Sequence, residues 1–276
     1  MSFLLVTTLW FSSCGGQAVT SLPNNAANNT SADANSGPSF TAASVTIDSS
    51  NGVKIIGTYL PAPKPNSPAV LLLHQWQSDR HSYDDLAKKL QARNINVLSV
   101  DGRGFGESTH RADGSTVSAG RTDADVRAML GDVDAAFQFL LKQPNVNAKR
   151  VGIIGASYGS SLAIIYASEH KDVAAVALLS PGLNYFGNLK TEPAVRKFEA
   201  DYPSRQLLFF AAEDDKESAD AVRKLNPIRV DNPLYGQNVF SKGGHGTALL
   251  KVGADQDISD FFAGVFDLAN LNNLKN

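Results

Sequence analysis

Ser157 is the residue of this chain best placed to attack an electrophile. It stands at the centre of Gly155-Ala156-Ser157-Tyr158-Gly159, behind the apolar run Arg150–Ile154 and ahead of a helical segment at Tyr158–Glu169. On such a strand–turn–helix corner the serine takes strained backbone geometry, with its hydroxyl raised above the sheet. Glycines two positions to either side remove side chains that would collide in the turn. The helix starting behind Ser157 aims free N–H groups and the positive end of its dipole at any oxyanion formed there. That is equipment for acyl transfer. A serine hydroxyl also needs a base, and the base an acid to orient it.

Of the five histidines, His74, His81, His110 and His170 precede or closely follow Ser157. Only His245 lies well beyond it, in the glycine-flanked stretch Gly243-Gly244-His245-Gly246. Such a loop lets an imidazole reach across the top of a sheet. The acid is expected between Ser157 and His245, at a strand end, where Phe209-Phe210-Ala211-Ala212-Glu213-Asp214-Asp215 offers three carboxylates. Asp215 is preferred because it stands three residues after small Ala212, and Asp214 is the alternative. The carboxylates not used face solvent or cap the helix that follows.

These residues need a scaffold, and the hydrophobic pattern supplies one. Ser44–Ile47 and Val53–Tyr59 read as a hairpin with Asn51-Gly52 in its turn. Pro61, Pro63, Pro65 and Pro68 argue against regular structure up to Ala69. Ala69–Leu73 is a continuous apolar run of strand length, as expected of a strand buried on both faces. A helix about Tyr83–Ala92 follows, with Ser82 and Asp85 as its capping signal, then a strand at Asn96–Val100. Arg121–Lys142 is the clearest helix: Val126, Met129, Leu130, Val133, Phe137, Leu140 and Leu141 recur at three- and four-residue steps, and Pro144 enforces the stop. Beyond Ser157 come strands at Val173–Leu179, Gln206–Ala211 and Asn238–Phe240, with helices at Glu217–Leu225 and Ile258–Leu268. A hairpin followed by alternating strands and helices predicts an α/β fold, its mostly parallel sheet covered on both faces. Ligands of such sheets bind beyond the carboxyl ends of the strands, where Ser157, Asp215 and His245 fall.

With the order Ser157, Asp215, His245, the chain from about Ser44 to Leu268 resembles the α/β-hydrolase family, in particular its small esterase and dienelactone-hydrolase-like members. Leu72-Leu73-His74-Gln75-Trp76 resembles the family's His-Gly-x oxyanion turn, with Gln75 where glycine is commoner. The resemblance implies that the backbone N–H groups of Trp76 and Tyr158 hold the oxyanion, with Gln75 the alternative to Trp76. Asp101-Gly102-Arg103-Gly104-Phe105-Gly106-Glu107-Ser108 looks like the family's turn after the fourth strand and is read as structural, with Arg103 paired to a nearby carboxylate. A small cap is expected at about residues 180–204, where Tyr185 and Phe186 would line the substrate site. The reaction implied is hydrolysis of small or short-acyl carboxylic esters through an acyl-enzyme, with no metal or organic cofactor. A prolyl-oligopeptidase-like peptidase and a non-catalytic binding lipoprotein on the same fold are the alternatives.

The N-terminus reads differently. Phe3–Phe11 is an apolar run of nine residues, too short for a hydrocarbon core about 30 Å thick and of the size of a signal-peptide apolar region. Ser12-Ser13-Cys14-Gly15 follows at once, and Cys14 is the sole cysteine. This resembles the lipobox of bacterial lipoproteins, although Phe11 stands where leucine is usual and no Lys or Arg precedes Lys54. The resemblance implies a signal segment at 1–14, lipidation of Cys14, and attachment to a bacterial envelope membrane on its periplasmic side or at the cell surface. Residues 15–43, rich in Asn, Ala, Ser and Gly, read as a flexible tether, leaving 44–276 for the catalytic domain. With 25 basic and 27 acidic side chains the chain carries a formal charge of -2. It therefore has no basic footprint for nucleic acid. One cysteine allows no internal disulfide, and no Cys/His cluster has zinc-site spacing.

Overall fold

The computed structural model describes residues 41–201, 204–228 and 237–273. The expectations for the signal segment, Cys14 and most of the tether fall outside them. Strands β1 (Ala43–Asp48) and β2 (Lys54–Leu60) form the expected antiparallel hairpin, in register from Ala43 opposite Tyr59 to Asp48 opposite Lys54. Asn51 and Gly52 turn it with φ of 58° and 72°, the left-handed region that Asn and Gly tolerate best. Then come β3 (Ser67–Leu73), α1 (Asp84–Ala92), β4 (Asn96–Val100), α2 (Asp123–Leu141), β5 (Val146–Ala156), α3 (Tyr158–Glu169) and β6 (Val173–Leu179). A two-stranded ribbon of β7 (Asn184–Tyr185) and β8 (Leu189–Lys190) leads into α4 (Thr191–Glu199). The chain closes with β9 (Gln206–Ala212), α5 (Lys216–Leu225), β10 (Gln237–Phe240) and α6 (Ala254–Asn273).

Eight strands make one sheet in the order β1-β2-β4-β3-β5-β6-β9-β10. The pairings of β1 with β2 and of β2 with β4 are antiparallel, and every other pairing is parallel. Alternation along the strands divides the core. Leu71, Ile153 and Phe209 face one side with α2, α3 and α5, while Leu72, Ile154 and Phe210 face the other with α1 and α6. Period-two alternation inside unbroken apolar runs is what a strand covered on both faces requires. At Gly152 the contact with α6 is so close that a Cβ would lie 2.3 Å from the Phe262 ring.

Two local expectations are corrected. Strand β3 begins at Ser67 and takes in Pro68, because a proline near a strand start forfeits only one ladder bond. Ser82 does not cap α1. A 3-10 turn at Arg80–Tyr83 precedes that helix, and Asp79 accepts its His81 N–H while the Ser82 hydroxyl donates back to the Asp79 carbonyl. The α2 start is a capping box: Thr122 Oγ1 accepts the Asp125 N–H at 3.2 Å, and Asp125 Oδ2 accepts the Thr122 N–H at 2.9 Å.

Candidate active site

Ser157 sits between β5 and α3 with φ 55° and ψ -124°, a conformation non-glycine residues rarely adopt. The neighbouring strand holds it there, for its N–H donates to the Leu179 carbonyl at 2.9 Å. The two glycines of the motif are required by space. A Cβ on Gly155 would lie 2.2 Å from the Gly159 carbonyl oxygen, and one on Gly159 would lie 2.5 Å from that of His74.

His245 reaches Ser157 from the loop after β10, whose Gly244 and Gly246 have φ of 69° and 63°. Its Nε2 lies 2.7 Å from Ser157 Oγ, and its Nδ1 lies 2.7 Å from Asp215 Oδ2. Burial would raise the Asp215 pKa, but hydrogen bonds from His245, Ser218 and Ser180 outweigh it and hold the carboxyl below its usual value. An ionised carboxylate only accepts, so Nδ1 carries the imidazole proton and Nε2 is free to accept from the serine hydroxyl. Asp215 also opens α5 but makes no side-chain cap to its backbone, its carboxylate being engaged by His245 and by the Ser218 and Ser180 side chains. Asp214 does a different job: its Oδ1 accepts the N–H groups of Gly243 and Gly244, both at 3.1 Å, and so shapes the loop that presents the imidazole.

The loop after β3 closes the other side. Tyr158 lies in the first turn of α3, where N–H groups have no intrahelical acceptor. Among the described residues no protein acceptor is paired with the backbone N–H of Gln75, Trp76 or Tyr158. His74 fixes this loop. Its Nε2 accepts the Gly102 N–H at 2.8 Å and its Nδ1 donates to the Gln75 carbonyl at 2.7 Å, a pattern only the neutral ring satisfies. Burial pushes the His74 pKa down, despite the Gln75 bond and the nearby Asp101 and Asp79 charges. The folded state thus binds fewer protons than the unfolded one below about pH 6.5, so stability rises with pH across that window. Urea-unfolding midpoints should fall between pH 7.5 and 5.5, and His74→Gln, which can keep both bonds without titrating, should flatten the slope. An unchanged slope in the variant would acquit His74.

Sequence reasoning missed several positioning contacts. The Gln75 carboxamide oxygen accepts the Thr247 N–H at 2.8 Å, joining the β3 loop to the His245 loop. Ser180, with φ 47°, accepts the Gly246 N–H at 2.8 Å and also hydrogen-bonds Asp215. Arg103 pairs with a carboxylate as expected; Asp132 on α2 takes its Nε and a terminal nitrogen at 2.5 and 2.6 Å. Arg80 bridges Asp101 and Glu107 in the same turn.

The expected substrate-facing aromatics come together. The Trp76 ring meets Phe105, Tyr158 and Phe186 edge-on, with centroids 4.8, 5.3 and 4.8 Å away. Phe186 has φ 59° in the turn between β7 and β8. The Tyr185 hydroxyl donates to the Ser180 carbonyl at 3.0 Å. The Arg121 guanidinium, which sequence reasoning did not single out, lies 4.8 Å from the Trp76 centroid and 5.0 Å from that of Phe186. Within the expected cap, α4 packs against α3 through Val195 and Phe198, so the β7–β8 ribbon is the part that brings side chains to Trp76.

A mostly parallel sheet with a serine-bearing corner after its central strand defines an α/β hydrolase. The chain belongs to the serine aminopeptidase S33 family, whose pattern matches residues 64–224, more than half of its length. That stretch holds Ser157 and Asp215 but stops short of His245. An uncharacterized protein of Mycobacterium tuberculosis, Rv2307c, is 29% identical over 138 residues, covering 50% of this chain and 44% of the relative. The match thus spans less than half the length of that relative. Among solved structures, a Pyrococcus furiosus esterase superposes with a TM-score of 0.62 at 17% identity, over 82% of this chain and 92% of its own. A dienelactone hydrolase from Anabaena variabilis gives 0.55 at 15%, over 82% and 96%.

Proposed function

We propose that the protein is a serine hydrolase of carboxylic esters with small or short acyl groups, working through an acyl-enzyme. The unbroken relay from Asp215 through His245 to Ser157, both links 2.7 Å, carries this reading. In the first half-reaction His245 takes the Ser157 proton as the hydroxyl attacks the acyl carbonyl, then passes it to the departing alkoxide. Asp215 keeps the imidazole in its productive tautomer and stabilises the cation. The N–H groups of Trp76 and Tyr158 receive the oxyanion. Water activated by His245 then attacks the acyl-enzyme and releases the acid and Ser157. Tyr185 and Phe186 contact the substrate from the ribbon. The likeness to esterases of the same fold favours esters. The family's description also makes a peptidase the second reading. For the N-terminus we propose lipidation at Cys14 and attachment to a bacterial envelope membrane, a reading supported by the lipobox-like sequence alone.

The test is incubation of the full chain with a fluorophosphonate probe, with short-chain p-nitrophenyl esters and with aminoacyl anilides. Covalent labelling with ester turnover at least about a hundredfold above anilide turnover is the expected result. Anilide turnover in excess would favour the peptidase. A folded protein inert to probe and substrates would be a binding protein, and the proposal would fall.

A further inference from the structure

Gln75 holds a pair of idle donors beside the catalytic base. Its carboxamide oxygen accepts the Thr247 N–H at 2.8 Å and the Thr247 hydroxyl at 3.2 Å. A Cβ on Gly246 would lie only 2.0 Å from the same oxygen. The side chain is thus pressed against the two residues that directly follow His245. With the oxygen fixed there, the NH₂ group takes the other side of the carboxamide. Among the described residues it has no acceptor, and it is not among the buried polar atoms left without a partner, so it reaches solvent.

The space beside it suggests what those donors are for. Gln75, His245 and Thr247 line a groove of about 800 Å³, bounded by the start of α1 at Ser82 and Asp84 and by the residues ahead of α6. Pockets of about 300–1,000 Å³ enclose most of a whole small molecule. Leu86, Ala248 and Leu250 are its aliphatic lining, and the other lining side chains are polar. Its charges are balanced: Lys88 lies 3.8 Å from Asp85, Lys89 pairs with Asp255, and Lys251 offsets Asp84 in the lining. A charged ligand therefore gains little from this groove, and an alkyl chain would strip water from its polar groups without replacing the hydrogen bonds. Hydroxyl groups both donate and accept, and replace that water at little cost.

We propose that this groove receives the alcohol half of the ester and that the alcohol is polyhydroxylated, a sugar, with the Gln75 NH₂ donating to one of its hydroxyls. His245 hands the serine proton to the departing alkoxide, so the alcohol oxygen must lie beside the imidazole. The groove that the imidazole itself lines is where the remainder of the alcohol extends. The inference rests on the ester-hydrolase reading and adds the substrate class on the leaving-group side.

The experiment compares kcat/KM of the full chain on glucose acetylated at its primary hydroxyl and on ethyl acetate, two primary alkyl acetates with one acyl group in common. A ratio of at least about tenfold in favour of the sugar ester is the expected result. Gln75→Glu keeps an oxygen for Thr247 but loses the donors, and Ala248→Tyr fills the groove from an exposed position. Each should lower that ratio at least about fivefold. Both substrates undergo the same chemistry, so any effect of a variant on the relay cancels in the ratio. With ethyl acetate turned over, a ratio under about tenfold, or one that neither variant moves, overturns the proposal and leaves the esterase reading standing. If neither ester is turned over, the esterase reading falls and saturation-transfer NMR of free glucose decides the groove. Transfer abolished by Ala248→Tyr would keep the sugar site, whereas transfer that is absent, or indifferent to that variant, would overturn it.

Discussion

Replacing Ser157 with alanine is expected to lower kcat on a short-chain ester by about 10⁶-fold, the scale seen when a serine nucleophile is deleted elsewhere. Labelling by a fluorophosphonate should vanish with it. Thermal stability should stay within about 1 kcal/mol of the parent, because alanine keeps the Cβ and the strained φ of 55° while the Leu179 bond involves only the backbone. The stability control gives the experiment its force, since loss of activity in an unfolded variant would say nothing about the hydroxyl. Turnover within about tenfold of the parent would remove Ser157 as nucleophile. The relay at 2.7 Å would then be a structural hydrogen bond only.

Second in size is the contrast between the two adjacent aspartates. Asp215→Asn should cost about 10⁴-fold in kcat, because a carboxamide NH₂ turned toward Nδ1 favours the tautomer whose Nε2 carries the proton and cannot accept from Ser157. Asp214→Asn should cost no more than about tenfold, since an amide oxygen can still accept the Gly243 and Gly244 N–H groups. The reverse ranking, read from kcat of both variants on one ester, would give the triad role to Asp214. The Asp215 pKa also fixes a sign. Its folded value lies below the ordinary one, so its contribution to stability is complete above the unfolded value near 3.9 and is lost only as pH falls through the folded value. Any loss of activity at mildly acidic pH would therefore arise from groups other than Asp215.

What could be read from the sequence was whatever depends on neighbours in the chain. The Gly155–Gly159 corner, the strand before it and the helix after it form one continuous segment, so the motif and its setting were legible together. The Asp215 assignment rested on a three-residue spacing within one turn, and the geometry brings that residue to His245 at 2.7 Å. Gln75 shows where legibility stopped. Beside a family pattern it looked like a misplaced glycine, yet its carboxamide accepts from Thr247, 172 residues away. Ser180, the Asp214 loop contact and the seat of Arg121 on Trp76 were hidden for the same reason. Each depends on which strand-end loops meet above the sheet. Ser82 failed through local competition, because a 3-10 turn led by Asp79 occupied the place where an α-helical cap was expected.

The span of these contacts has a consequence for how the protein is made. Ser157 and His245 lie 88 residues apart, and β10, which leads to the His245 loop, is the last strand to join the sheet in chain order. A ribosome adds about 5–20 residues per second. The serine corner is therefore synthesised roughly 4–18 s before the imidazole that would deprotonate it. During that interval the nascent chain holds the hydroxyl without its base, and the β3 loop lacks the Thr247 anchor for Gln75. The relay is thus assembled only once the 88 residues that separate the serine from its imidazole have been added.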